Sequence, residues 1–499
     1  MARPTFYWYD FETFGLNRRS SRPAQFAGLR TDMDFNPVGR GEVLYNRLSR
    51  DVLPEPSSCL ITHITPQECE AKGLCEAEFS QEVWKRLNEP DTVSIGYNTL
   101  GFDDEVCRFL FWRNFLDPYS HQWKSGCSRW DLYPIVLAVW ALRGDTDWIR
   151  WPYWRELDPV RHPGVHDREG VSFKLELLTE FNNLEHAKAH DALSDVEATV
   201  ALAKLIATHE PRLWKWAFEH RDKASVVREI TSGPFVWISP RLTSRRKFTA
   251  VVQPIVFHEK TNQAFVWDLR EDPSILLGLS AEEIRERLGS RRSLEEKGLE
   301  RLPIFRLKTN ESPFVCSSLG IIRGSRWEAL GLDRRVIEAN AAKLLEIAPR
   351  VAGTVEEGCV FMSDDEPVEA EEALYEGGFP SNNDLALRDR VRSLGGEELA
   401  SQIQGGHLVF EDRRFAEMLE RYLARNWPEL LTAEQAVAWE ARLRFVLSGG
   451  TGARSLSEFQ DELDSRIEEL YEKGSVSDED FEVLDQLSDW ATALSAVFE

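Results

Sequence analysis

The sequence predicts a multidomain protein of the α+β or α/β class, in which a mixed sheet packed with helices precedes a small β-rich domain and a helical segment. Its 499 residues exceed the usual domain size of about 100–200 residues. Strand-like runs alternate with helical stretches up to about residue 210, β-type runs dominate 234–270, and helical periodicity dominates 384–499. We therefore expect domains at 1–210, 211–355 and 356–499.

The first predicted domain contains strands first and then alternating helices and strands. Aromatic residues at 5–9 predict a buried strand that delivers polar residues at its end, and Pro211 marks the approximate end of an Ala-rich helix that follows His186. The other predicted elements are extended runs near 25–31 and 43–47, helices at about 76–88 and 103–115, and a strand at 92–97. This order is typical of a mixed sheet with helices packed on it.

The rest of the chain changes character twice. A helical connector at 211–229 leads into β-type runs over 234–270 and mixed structure to about 350. The acidic stretch 354–383 contains Pro and Gly and is interpreted as a linker or irregular segment.

Charge is distributed unevenly along the chain. The formal net charge is −24, and residues 361–499 hold about 12 basic and about 32 acidic side chains, so the C-terminal segment accounts for most of it. Basic residues cluster at 212–223 and 241–247. A local positive groove for a polyanion is therefore compatible with an acidic protein.

Several observations predict a cytoplasmic protein without a membrane segment. No apolar run approaches the roughly 20 residues that a bilayer requires. The opening residues lead directly into a strand-like run, so we expect no signal peptide. Seven cysteines occur without the spacing of a zinc site, which favours reduced thiols over disulfides.

Asp10 and Glu12 are the first candidate functional residues. Side chains alternate across a strand, so two residues separated by one position point to the same side. An acidic pair that ends a buried strand needs a counter-charge, and a divalent metal ion is a natural one. The alternative is that both side chains lie in solvent at a strand edge.

Three further residues extend this pattern. Asp103 lies at a predicted helix start and is by itself typical of a helix cap. His190 lies five residues before Asp195, which is near the start of the Ala-rich helix. All these segments fall at the ends of predicted core elements in one α/β unit, and this favours a single site over chance.

Seven segments together carry a family resemblance. They are Tyr9–Gly15, Arg22–Phe26, Leu60–Glu68, Gly96–Asn98, Phe102–Val106, Ser128–Leu132 and His190–Ala192. The sequence resembles the DEDDh 3′→5′ exonucleases, and more narrowly the bacterial exodeoxyribonuclease I group. The resemblance is dense over about 1–220 and thinner from there to the end. Lys174 departs from the group, which tends to place an arginine there.

The resemblance implies a ribonuclease-H-like exonuclease domain with a mixed sheet, then an SH3-like β domain and a helical C-terminal domain. It implies that Asp10, Glu12, Asp103 and Asp195 hold two Mg²⁺ ions, with Mn²⁺ able to substitute, and that His190 is the general base. The expected reaction is 3′→5′ degradation of single-stranded DNA to 5′-mononucleotides in DNA repair and recombination. The family also suggests a monomer that docks on the C-terminal tail of the single-stranded-DNA-binding protein.

Aromatic and basic side chains are expected to bind the DNA strand, because ring faces stack on bases and cations follow phosphates. The predicted substrate-binding residues are Glu12, Arg108, Tyr119, Trp123 and Lys174. Trp112 and Trp130 fit the same surface, or equally a hydrophobic core.

Two other functions remain open on the sequence. One is an exoribonuclease or proofreading-type nuclease that uses the same site, since no motif indicates whether a 2′-hydroxyl is contacted. The other is a nucleic-acid-binding repair scaffold without catalysis, which the presence of all five predicted catalytic residues disfavours.

Overall fold

The computed structural model describes residues 4–159, 161–162, 164–165, 167–184, 191–360, 368–473 and 477–498. The chain divides into two compact units. The first unit comprises 1–128, 186–197 and 366–499, and the second comprises 129–185 and 198–365.

The regular elements are numbered in chain order. The strands are β1 (Thr5–Thr13), β2 (Pro23–Thr31), β3 (Glu42–Tyr45), β4 (Thr92–Gly96), β5 (Ser128–Asp131), β6 (Phe235–Ile238), β7 (Thr249–His258), β8 (Gln263–Asp268), β9 (Ile304–Lys308) and β10 (Phe314–Cys316). The helices are α1 (Pro56–Thr62), α2 (Pro66–Lys72), α3 (Glu76–Leu87), α4 (Asp103–Arg113), α5 (Tyr133–Arg143), α6 (Leu175–Phe181), α7 (Ala192–His209), α8 (Pro211–Glu219), α9 (Lys223–Thr231), α10 (Ala281–Arg287), α11 (Arg291–Lys297), α12 (Arg326–Ala329), α13 (Arg334–Cys359), α14 (Asn382–Ser393), α15 (Gly396–Gln404), α16 (Arg413–Asn426), α17 (Ala433–Leu447), α18 (Leu456–Lys473) and α19 (Asp478–Ser495).

The sheet of the first unit is mixed, as the sequence predicts. Its strands lie in the order β3-β2-β1-β4, with β1 antiparallel to β2 and parallel to β4. Tyr7, Tyr9 and Phe11 of β1 pack with Phe26 of β2 and with apolar residues of α3 and α4 in one hydrophobic core. Successive strand residues point to opposite faces, so Asp10 and Glu12 leave this core on the other side.

The strand β1 is longer than predicted. The aromatic run suggested an end near residue 9, but the strand continues to Thr13 because β2 pairs with it along this whole length. Parallel pairing with β4 stops earlier, at Trp8 and Ile95. The acidic pair therefore lies within β1, on the part of the strand that extends past its pairing with β4.

The C-terminal segment of the first unit is helical, as predicted, and it forms two separate cores with the N-terminal elements. Residues of α17, α18 and α19 pack with apolar residues of α1 and α2. Residues of α14, α15 and α16 pack with Phe109, Trp112 and Phe115, which lie on and just after α4. The helix that begins at Asp103 is therefore packed against the C-terminal helices.

A buried ionic network also joins these parts of the first unit. Arg425 on α16 pairs with Asp51 at 2.5 Å and with Glu371 at 2.7 Å, and Arg22 pairs with Glu371 at 2.6 Å. Burial alone would raise the pKa of Glu371, but the guanidiniums of Arg425, Arg22 and Arg421 lower it well below its usual value. The charges are thus compensated inside the protein.

The second unit contains the predicted β-rich region. Its strands form an antiparallel sheet in the order β10-β6-β7-β8-β9. The helix α13 packs against β7 and occupies 354–359, which the sequence suggested as the start of a linker. Val351, Val355 and Cys359 are buried at helical spacing, and this apolar face extends the helix beyond the expected boundary.

Among the described residues, no helix is both long enough and apolar enough to cross a bilayer.

Replacing Arg425 with methionine should strongly destabilise the protein. The change keeps side-chain volume but leaves Asp51 and Glu371 as buried carboxylates without this partner, and removal of one member of a buried pair costs about 3–5 kcal/mol. Urea unfolding of the full chain measures the effect. Arg413→Met on the same helix is the matched control, because the Arg413 side chain is 91% exposed. Equal unfolding midpoints for the two variants would contradict the role of the network.

Candidate metal and active site

The strand β1 places two carboxylates on one side of the sheet. Phe11, between them, is 5% exposed and lies in the core on the opposite face. The register of β1 against β2 becomes irregular between Glu12 and Thr13, where Thr13 lies opposite Pro23. Such irregularities are frequent beside active sites, since they redirect side chains. Asp10 and Glu12 therefore share a face, as the sequence predicts.

Asp103 joins this end of β1 from α4. Its Oδ1 accepts a hydrogen bond of 3.1 Å from the backbone N–H of Phe11, which lies past the last registered pair of β1 with β4. A buried N–H requires an acceptor, and the carboxylate supplies it. Asp103 thus holds the backbone between the two acidic residues of β1.

The next residue, Asp104, fixes the first turn of α4. It is fully buried, and its carboxylate pairs with Arg108 at 2.9 Å and lies 3.2 Å from Nε2 of His121. These contacts hold the helix start that carries Asp103.

Asp195 comes from the first turn of α7. Asp191 begins this helix, with its Oδ1 accepting the N–H of Ser194 at 3.1 Å and its carbonyl accepting the N–H of Asp195. Asp10, Glu12 and Asp195 each offer an oxygen, and these three oxygens lie within 4.8 Å of one another. Two segments about 185 positions apart in the sequence thus form one acidic cluster.

The electrostatics of this cluster are unfavourable without a cation. Burial raises the pKa of Asp10 well above its usual value, and the carboxylates of Asp103, Glu12 and Asp195 raise it further. Burial also raises the pKa of Glu12 to about 8, with contributions from Asp195, Asp103 and Asp191. Oxygen ligands of this kind are those that Mg²⁺, Mn²⁺ and other hard divalent ions prefer. The geometry and the charge of the cluster therefore fit a divalent metal ion.

His190 lies outside the described residues. Its proposed role as general base therefore stays a prediction from the sequence.

The predicted strand-contacting residues differ in their surroundings. Trp123 is 68% exposed. Arg108 is largely enclosed and pairs with Asp104 and Glu105, and its Nη1 donates to the Tyr375 hydroxyl at 3.0 Å.

Tyr119 is partly buried, with the Arg108 guanidinium 5.6 Å from its ring centroid. Lys174 is in the second unit, just before α6, where its exposed ammonium lies 3.0 Å from Glu176. Their contacts with DNA stay predictions.

Trp112 and Trp130 are core residues. The Trp112 indole donates to the Ala370 carbonyl at 2.9 Å and packs against Phe415, and Trp130 packs edge-on against Trp214. Both are nearly inaccessible to solvent. Of the two interpretations left open by the sequence, packing is the one that the structure supports.

Comparison with known proteins adds family information to this geometry. The Exonuclease family matches residues 7–203, the Exonuclease I SH3-like domain matches 221–359 and the Exonuclease I C-terminal domain matches 368–494. The exodeoxyribonuclease I of Haemophilus influenzae is 36% identical over 499 residues, which cover 98% of each chain. This chain belongs to the exodeoxyribonuclease I family. The predicted order of an exonuclease domain, an SH3-like domain and a helical C-terminal domain is confirmed.

Solved members of the exodeoxyribonuclease I family share the fold. Escherichia coli exonuclease I in complex with a dA16 oligonucleotide is 33% identical with a TM-score of 0.88, and the comparison covers 99% of this chain and 100% of that one. The zinc-bound form of the E. coli exonuclease I complex with single-stranded DNA is also 33% identical, with a TM-score of 0.86 and the same coverage. The metal dependence of the exonuclease domain agrees with the acidic cluster that Asp10, Glu12 and Asp195 form in this chain.

Sequence reasoning assigned no role to Gln25, Asp104 or Asp191. Gln25 interrupts an otherwise mostly apolar strand, and a polar side chain in such a position needs a buried partner. This polar position is visible in the sequence, but the sequence does not show that the backbone of Ala192 is its partner. Asp104 and Asp191 lie beside predicted site residues and were indistinguishable from ordinary helix-start acids.

Removing divalent metal should make the stability of the protein depend on the ionisation of Glu12. The folded-state pKa of about 8 lies above the ordinary value of 4.5, so between these pH values the folded protein retains a proton that the unfolded chain has released. This contribution lowers the free energy of unfolding as pH rises through that range. In EDTA, the denaturation midpoint of the wild type should fall more steeply with rising pH than the midpoint of Glu12→Gln. Saturating Mg²⁺ should restore the midpoint that the wild type loses. Parallel pH curves for the two proteins would contradict the assignment.

Proposed function

We propose that this chain is a 3′→5′ exonuclease that hydrolyses single-stranded DNA to 5′-mononucleotides. The observation that carries the proposal is the convergence of Asp10, Glu12 and Asp195 within 4.8 Å, with Asp103 bound to the backbone between the first two. Membership of the exodeoxyribonuclease I family and the complexes of the E. coli protein with single-stranded DNA support this substrate.

Magnesium is the proposed cofactor, as two ions, with Mn²⁺ able to substitute. Asp10, Glu12 and Asp195 would hold the metal. Asp103 completes the ligand set that the sequence predicts. Bound divalent ions supply activation of a water nucleophile and neutralisation of the charge on the phosphodiester. The protein contributes the fixed positions of the carboxylates, so that little reorganisation is needed during the reaction.

His190 is the proposed general base. It precedes α7 in the sequence by two residues and Asp195 by five. An imidazole nitrogen with a pKa near neutral accepts a proton from water efficiently at physiological pH.

The DNA strand is proposed to contact Glu12, Arg108, Tyr119, Trp123 and Lys174. The exposed indole of Trp123 is suited to base stacking. Arg108 is held by Asp104, Glu105 and Tyr375, so it would act from a fixed position.

The cellular setting is part of the proposal. We propose a cytoplasmic monomer that acts in DNA repair and recombination. Its proposed partner is the tail of the single-stranded-DNA-binding protein. The proposed domains are 1–210, 211–355 and 356–499. All seven cysteines are free and buried, which agrees with a reducing compartment.

Matched oligonucleotides test the activity. A 5′-labelled single-stranded DNA incubated with the full chain and Mg²⁺ should shorten progressively from its 3′ end and release 5′-mononucleotides, whereas EDTA should abolish the reaction. Asp195→Ala should show less than a few per cent of the wild-type rate, because it removes one carboxylate from the cluster. Equal degradation of a matched RNA would instead support the exoribonuclease function, and an absence of degradation with retained DNA binding would support the scaffold.

Replacing His190 with alanine should slow turnover by about 10²–10⁴-fold, the usual contribution of a general base. Because His190 is not a proposed metal ligand, Mn²⁺ affinity measured by calorimetry should change little. An unaltered rate at neutral pH would remove His190 from the mechanism.

A further inference from the structure

Gln25 is a buried polar residue beside the acidic cluster. It lies on β2 directly opposite Glu12 of β1 and is 2% exposed. Opposite residues of an antiparallel pair place their side chains on the same face of the sheet. The amide of Gln25 is therefore on the face that carries Asp10 and Glu12.

The carbonyl of this amide binds the start of α7. Gln25 Oε1 accepts the backbone N–H of Ala192 at 3.2 Å. The first N–H groups of a helix have no acceptor within the helix. The carboxylate of Asp191 satisfies Ser194, further along the turn. Gln25 thus binds an N–H that belongs to the first helical residue, three positions before Asp195.

Two other neighbours support the same arrangement. Tyr45 of β3 lies directly opposite Gln25, so the two side chains share a face of the sheet. Leu193 packs so closely over Gly41 that a Cβ built on this glycine would lie 2.7 Å from the leucine side chain. The first turn of α7 is consequently docked on β2 and on the residue just before β3.

We infer that Gln25 is a positioning residue for catalysis, which sets the distance between the carboxylates of β1 and the start of α7. This inference rests on the proposed metal-dependent nuclease function. The amide touches neither DNA nor metal in this role. It acts through Ala192, whose backbone leads to Asp195 in one direction and to His190 in the other. Groups that orient metal ligands typically affect metal affinity or activity by about 10–100-fold.

The test uses Gln25→Met in the full chain, because methionine keeps the volume and removes the hydrogen bond from Ala192. We expect kcat on a 3′-ended single-stranded DNA to fall about 10–100-fold while KM stays within about threefold, since DNA contacts are unaltered. Mn²⁺ affinity, measured by calorimetry without DNA, should fall about tenfold. This second readout is independent of turnover.

Gln253→Met is the matched control. Gln253 is also a buried strand glutamine, 7% exposed, and lies on β7 in the second unit. Its replacement should leave kcat and Mn²⁺ affinity within about twofold of wild type.

Tyr45→Phe provides a milder variant in case methionine at position 25 impairs folding. It removes a polar group from the face of the sheet beside the amide, so it should change kcat and Mn²⁺ affinity in the same direction by a smaller factor. In the Gln25→Met background it should add no further loss, because this effect is exerted through the Gln25 amide.

The inference would be overturned if Gln25→Met kept the kcat and Mn²⁺ affinity of the wild type. Equal losses in the Gln253→Met control would also overturn it, as would additive losses in the variant that combines Gln25→Met with Tyr45→Phe. Failure of wild type to degrade any DNA would refute the proposed function instead. The Mn²⁺ comparison would still decide whether Gln25 positions the cluster.

Discussion

The carboxylates at the end of β1 repel one another, and the surrounding structure must hold them together despite this repulsion. Burial and neighbouring carboxylates raise the pKa of Asp10 and Glu12, so ionisation of both is costly in the metal-free protein. Chain segments that bring such groups together must be held by contacts that do not depend on the charges themselves. The structure supplies these contacts through backbone hydrogen bonds and apolar packing. A divalent cation would then bind to a site whose shape is already determined.

The same device fixes the cluster in two places. Where β1 extends past its registered pairing with β4, Asp103 accepts the N–H of Phe11, and where α7 begins, Gln25 accepts the N–H of Ala192. In each case a backbone donor is available because it lies outside the regular hydrogen bonding of its element, and a side chain from a distant segment becomes its acceptor. Places where regular backbone pairing is absent are therefore the natural location for this site, because there side chains can take the place of backbone partners.

The C-terminal helices of the first unit contribute through support of these segments. Trp112, about two and a half helical turns beyond Asp103, packs on Phe415. Arg22, just before β2, joins the buried network with Glu371 and Arg425. Both the helix that carries Asp103 and the strand that carries Gln25 are therefore connected to these helices. The ion pairs fix how these segments pack, because a buried guanidinium is stable only when it faces its particular carboxylates.

The sequence by itself determined the elements, the shared face of Asp10 and Glu12, and the family, because strand alternation, helical periodicity and short motifs are local properties. The tertiary structure decided which polar and aromatic side chains remain accessible. The sequence predicted Arg108 as a DNA-binding residue, but it did not show that the guanidinium donates to the hydroxyl of Tyr375, 267 positions away, or that Trp112 packs against Phe415. Likewise, Gln25 shows only an unusual polar position in the sequence, whereas its partner Ala192 lies 167 positions further on. A pattern of neighbouring residues records the side to which a group points. It contains no information on the distant segment that satisfies or covers that group, because this depends on packing between elements far apart in the chain.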